Sequence, residues 1–228
     1  MKKAVGGVSP QTIKAIAVFY VIALAVRLIT LLIAKKYPTV MGNYFFLLST
    51  GVGPLIGAIV AMIVFKRKLQ FTLTGKSAWK SIVTIVVPCL MFGILGGVEM
   101  GGLCLFAFAY SLLEEYGWRG FLQNELKGLP MWQYVPIITI MWFLWHINFY
   151  QQDMLLFFAM LLFASFIIGK AVKDTHSLLL CAALHGAMNF KVLGLLPDNT
   201  FIIALICIIL FWIVLWYFVK PSPLKVNR

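Results

Sequence analysis

Acidic residues are scarce in this chain. Asp and Glu total 7 among 228 residues, and charged residues of both signs make up only 11%. A soluble domain carries about one quarter charged residues, so a water-facing globule is excluded. Hydrophobic residues reach 62% and the mean hydropathy is +0.98. The apolar runs are continuous rather than alternating, which excludes a transmembrane β-barrel. The cysteines Cys89, Cys104, Cys181 and Cys207 show neither metal spacing nor a paired pattern and read as small hydrophobes in apolar segments. HExxH, GxSxG, a phosphate-binding loop and a dinucleotide fingerprint are all absent. There is no internal repeat, which counts against a transporter built from inverted halves. The first apolar run is too long for a cleavable signal and lacks a small-residue cleavage site, so it reads as a retained span.

What remains is an all-α, polytopic transmembrane helical bundle. Eight spans are expected, approximately at 13–34, 44–65, 80–97, 100–126, 134–150, 154–172, 177–194 and 200–219. The third and fifth are short and contain Pro88 and Pro136. Residues 1–228 read as a single integral membrane domain. The net charge is +12, but the cations gather at the ends of apolar runs. That is the pattern of charge-controlled topology beside anionic lipid, not of nucleic-acid binding. With the N-terminus in the cytoplasm, the outside receives only Lys35, Lys36 and Lys191. Arg27 stays inside the first span, and the other cations fall inside, among them Lys2, Lys3, Lys66, Arg67, Lys68, Arg119, Lys127, Lys220, Lys225 and Arg228. Both termini are therefore expected in the cytoplasm. The Lys66–Lys80 stretch reads as a cytoplasmic loop on the membrane surface. Gly93, Gly96, Gly97, Gly101 and Gly102 allow close helix packing, within one chain or between chains.

Two of the few carboxylates, Glu114 and Glu115, stand side by side in an apolar run. A charge at the bilayer centre costs roughly 2.5–3.5 kcal/mol on insertion scales. On a helix Glu115 and Arg119 share a face and can pair, while Glu114 is rotated about 100° away. The arrangement separates a carboxylate held by arginine from one that can activate water. The plainer alternative is an ion pair near a helix end, with Arg119 reaching the interface. His146 follows Trp142 by one turn, so the indole can stack on the imidazole. Its alternative role is a member of an aromatic belt with Trp132, Trp142, Trp145 and Tyr150. His185 and Asn189, four apart, project from one face and can donate two hydrogen bonds to an oxyanion; interhelical hydrogen bonding is the alternative. Two imidazoles and one carboxylate can also make a zinc site with an open position, so Glu114, His146 and His185 leave zinc open as a cofactor.

The chain carries Glu114-Glu115-x-x-x-Arg119, Trp142-x-x-x-His146 and His185-x-x-x-Asn189 in that order, each within its own hydrophobic segment. In this it resembles the CPBP intramembrane proteases, the CAAX-protease and bacteriocin-processing family, also called the Abi domain. The match runs from Ser111 to Phe190, which suits a protease-like core at approximately 100–194. Trp142 stands where that family usually has Phe. The resemblance implies an endopeptidase in which Glu114 activates water, His146 holds it, Glu115 and Arg119 order the site, and His185 with Asn189 stabilises the oxyanion. It implies either a metalloprotease or a metal-free glutamate mechanism; the expectation here is no cofactor.

The expected substrate is a small peptide or a membrane-tethered protein in the plasma membrane of a bacterium. Peptide pheromone or bacteriocin processing, or self-immunity, fits the family. Two rivals of other classes are a proton-coupled transporter using the buried acids and a non-catalytic immunity or scaffold protein.

Overall fold

The computed structural model describes residues 8–147 and 153–218. Tyr150 of the expected aromatic belt and the cations Lys2, Lys3, Lys220, Lys225 and Arg228 lie outside the described residues. The helices are α1 (Pro10–Lys36), α2 (Tyr44–Thr50), α3 (Val52–Phe65), α4 (Ala78–Glu115), α5 (Met131–His146), α6 (Met154–Thr175), α7 (Leu178–Asn189) and α8 (Asn199–Ile213). A π-helix, Tyr116–Gln123, continues α4. Among the described residues the only β-type pairing is one isolated bridge between Thr72 and Ser177. The helix starts follow capping chemistry: Ser9 Oγ accepts from Thr12 N ahead of Pro10, Ser177 Oγ from Leu180 N, and Asp198 Oδ1 from Thr200 N.

Among the described residues, each of the eight expected apolar segments overlaps helix. The boundary expected between the third and fourth is a real break. Gly97 has φ 83° and ψ 175° inside α4, a conformation that glycine adopts without strain. The two arms of α4 fold back on each other there, since a Cβ on Gly101 would lie 2.9 Å from the Cys89 carbonyl oxygen and 3.3 Å from Gly93 Cα. The glycine cluster thus serves packing within the chain. Without that fold, the 46 residues of Ala78–Gln123 would extend about 69 Å, more than twice the apolar thickness of a bilayer.

Among the described residues four helices are long and apolar enough to cross a membrane, or five if the pair α2 and α3, bent by 48°, counts as one. Their outward faces are apolar: Ile94, Val98, Phe45 and Leu155 are almost fully exposed. The protein is an integral, multi-pass membrane protein. α5, with 16 residues, and α7, with 12, are shorter than the ~20 that a single crossing takes. Eight crossings with cytoplasmic termini are our proposal for its topology.

Small residues set the helix crossings that matter for the site. Gly57 on α3 lies against the Phe19 carbonyl of α1, and Gly117 in the π-helix lies against Pro54 of α3. At the crossing of α4 and α7, a Cβ on Gly186 would lie 2.7 Å from the Phe108 ring and 3.1 Å from the Ala107 carbonyl oxygen. This close approach brings the residue before it, His185, against α4. Gly186→Val is expected to cost about 1–3 kcal/mol by overpacking, read as a lower unfolding midpoint in detergent.

Candidate active site

The two carboxylates end α4, and both are buried, as is Arg119 in the π-helix that follows. π-turns recur at functional sites. Here the turn stays locked in place because Gln123 Nε2 donates to the Gly169 carbonyl of α6 at 2.9 Å.

Glu115 is the meeting point of three helical segments. Its Oε1 accepts from Arg119 Nη1 at 2.7 Å and from His185 Nδ1 at 2.9 Å. A carboxylate accepts, so His185 carries a proton on Nδ1 and directs Nε2 elsewhere. Arg119 is fully buried rather than snorkelling; it packs with its guanidinium carbon 4.6 Å from the Trp142 ring centroid and Nη2 3.5 Å from Ser165 Oγ. The interfacial ion pair weighed from the sequence is therefore replaced by a dry, hydrogen-bonded one. The cytoplasmic-interface position counted for Arg119 is corrected likewise: the π-turn holds it inside the protein.

Glu114 points away from that ion pair, as the 100° rotation requires. Its Oε2 accepts from Trp142 Nε1 at 3.2 Å. Trp142 also meets both histidines: its ring lies edge-on to His185 at 4.9 Å between centroids, and its carbonyl faces His146 Nδ1 at 2.8 Å. That carbonyl can only accept, so His146 donates from Nδ1 and keeps the Nε2 lone pair. The stacking expected between Trp142 and His146 is loose, at 5.9 Å and 45°; the closer ring contact is with His185. The His146 ring lies within electrostatic range of Glu114, His185 and Arg27. Asn189 reaches the same region more weakly, with Nδ2 3.5 Å from Ser111 Oγ.

Several participants escaped the sequence reading. Arg27 of α1 donates to the His146 carbonyl at 3.5 Å and lies 5.0 Å over the Trp145 ring. Its signal was its position, a lone cation inside an apolar span. Ser111 and Ser165 carried no signal beyond helical spacing. Glu115 Oε2 and Arg119 Nε are buried with no hydrogen-bond partner among the described residues, so charge rather than full hydrogen bonding compensates this pair.

Among the described residues, no three or more His, Cys, Asp or Glu side chains are grouped to hold a metal ion. Glu114 and His146 both bond Trp142 and His185 bonds Glu115, which leaves both Nε2 atoms open as in metal-bound histidines, but the three side chains are not gathered to hold an ion, and no step is routed through one.

Residues 96–191 match the family model described as type II CAAX prenyl endopeptidase Rce1-like. The chain is 22% identical over 218 residues to lysostaphin resistance protein A of Staphylococcus aureus (strain MRSA252), a match that covers 81% of this chain and 50% of that protein. The chain thus spans about half the length of the curated relative that it matches. No solved structure matches it. Glu114, Glu115, Arg119, Trp142, His146, His185 and Asn189 all lie inside the matched segment, and the resemblance to the CPBP intramembrane protease family is borne out over the part of the chain that builds this site.

Proposed function

We propose that the protein is an intramembrane endopeptidase that hydrolyses a peptide bond in a small peptide or membrane-tethered substrate. The observation that carries this reading is the division between the carboxylates. Glu115 is committed to Arg119 and His185, whereas Glu114 keeps one oxygen clear of the Trp142 bond. In this reading Glu114 takes a proton from water while His146 Nε2 accepts the water's other hydrogen, which orients the oxygen lone pair toward the scissile carbonyl. Attack forms the C–O bond and moves the carbonyl electrons onto oxygen. His185, as imidazolium, holds Glu115 through Nδ1–H and gives Nε2–H to the oxyanion, and Asn189 Nδ2 gives a second hydrogen bond. Collapse breaks the C–N bond, and protonated Glu114 returns its proton to the leaving amine. Burial of the cluster makes each of these interactions stronger than it would be in water.

The test is peptidomics of cells holding wild-type protein or Glu114→Gln at matched membrane levels. A peptide or truncated protein present only with wild type is the expected result. Identical profiles would sink the assignment.

Trp142 supplies a donor that the Phe usual at this position cannot. A hydrogen bond to a charged group contributes about 1.5–3 kcal/mol. Trp142→Phe is therefore expected to slow cleavage about ten- to a hundredfold while keeping the ring packing, measured on the product that the peptidomics identifies.

The name of the staphylococcal relative, a resistance protein, favours one second reading: self-immunity or resistance at the plasma membrane of a bacterium. If that role is non-catalytic, protection survives Glu114→Gln; if it depends on cleavage, protection and the product disappear together.

A further inference from the structure

Away from the carboxylates, three chain segments enclose a second polar site. A cavity of roughly 340 Å³ lies where the first turn of α1, the chain leaving α3 and the chain leaving the π-helix meet. Its walls carry Lys66, Arg67, Lys68 and Lys127 against a single acid, Glu125. Glu125 is spent on Arg67, with Oε2 3.4 Å from Nε. Lys66, Lys68 and Lys127 are exposed, and none has an ion pair among the described residues.

The site is held in shape by its own bonds. Lys66 ends α3 in the left-handed region, at φ 52° and ψ 43°, which turns the chain sharply off the helix. Arg67 N then donates to the Met62 carbonyl at 2.9 Å, and its Nη2 to Thr12 Oγ1 at 3.3 Å. Asn124, nearly fully buried, donates from Nδ2 to the Lys68 carbonyl at 3.2 Å. The positive end of the α1 dipole adds to the field, and no acid occupies its first turn. Three uncompensated ammonium groups around a fixed polar hollow call for an anion with several oxygen acceptors, which is phosphate chemistry.

The flanks decide what carries the phosphate. Within one helical turn of the lining residues Thr12 and Lys66, Ile13 is 57% exposed, Ile63 71% and Val64 60%. A free phosphate has no use for them, whereas acyl chains running down α1 and α3 would cover them. We propose that this cavity binds the phosphate headgroup of an anionic membrane lipid, with its chains against Ile13, Ile63 and Val64. Basic pockets between helices at the membrane surface take such headgroups. The site is independent of the reaction proposed at Glu114.

Thermal unfolding in nanodiscs tests it. Wild-type protein is compared in phosphatidylcholine alone, in phosphatidylcholine with phosphatidylglycerol, and in phosphatidylcholine with added inorganic phosphate. Phosphatidylglycerol is expected to raise the unfolding midpoint by about 2–4 °C. The triple variant Lys66→Gln, Lys68→Gln, Lys127→Gln loses that rise. A control with Lys14→Gln, Lys35→Gln and Lys36→Gln keeps it. Lys→Arg at the three cavity positions, which preserves the charge, also keeps it. A wild-type midpoint indifferent to phosphatidylglycerol overturns the proposal. So does a rise that survives in the cavity variant, or one lost equally in the control, which would assign the effect to overall charge. An equal rise with inorganic phosphate alone overturns the lipid assignment in favour of a free anion.

Discussion

Arg119→Met is expected to lower stability by about 3–5 kcal/mol, a large share of the 5–15 kcal/mol that holds a typical protein folded. The methionine fills a similar volume, so packing is largely kept. What is lost is the cation beside Glu115, which is fully buried and would keep only the hydrogen bond from His185. An uncompensated buried carboxylate is far more damaging than no ion pair at all. The double variant Arg119→Met, Glu115→Gln is therefore expected to be more stable than Arg119→Met alone. Chemical denaturation in detergent of the wild type, both single variants and the double variant gives the coupling directly. Additive losses would mean that the ion pair carries no energy of its own. Arg119→Lys is expected to fall between, because an ammonium keeps the charge but loses the flat face on Trp142 and the reach to Ser165.

The second large effect separates the two neighbouring carboxylates. Glu114→Gln keeps an oxygen that can accept from the Trp142 indole, so the fold should persist with little change. Without its base, cleavage is expected to fall by about 10²–10⁴-fold, each decade being about 1.4 kcal/mol of barrier. Glu115→Gln should lose both activity and stability, since two hydrogen bonds from cationic or ionisable donors converge on its Oε1. Rates of product formation and unfolding midpoints, taken on both variants, distinguish them. A fully active Glu114→Gln beside a stable, inactive Glu115→Gln would reverse the assigned roles.

How much of this could be read in advance depends on sequence distance. Glu115 and Arg119 are four apart, so helical geometry alone predicts their pairing, and the 100° offset of Glu114 follows in the same way. The break at Gly97 was visible as the gap between two apolar runs. The contact of Glu115 with His185 was not visible, because it depends on how closely α7 crosses α4, and that is set by the missing side chain of Gly186. The bond from Trp142 to Glu114 was also hidden. Substitution of Trp for Phe looked like a packing matter, and only the placement of α5 shows that the indole N–H is used. Helix length was overestimated for the seventh segment, expected over 177–194 but helical over Leu178–Asn189, where hydropathy runs on past the residues that hold helical geometry.

The spacing of partners around Glu115 has a consequence for how the chain is made. Synthesis delivers residues in order, and His185 follows Glu115 by 70 positions. Throughout that interval Glu115 would sit in an apolar setting without its imidazole. Arg119 arrives four residues later, within the next turn of the same helix. The carboxylate and its counter-ion can therefore leave the ribosome and enter the membrane as one nearly neutral unit. Glu114 has no counter-ion so near; Tyr110, one turn earlier, is its neutral companion, and its indole partner comes 28 residues afterwards. Of the two acids, it is the one whose burial must wait for a later helix.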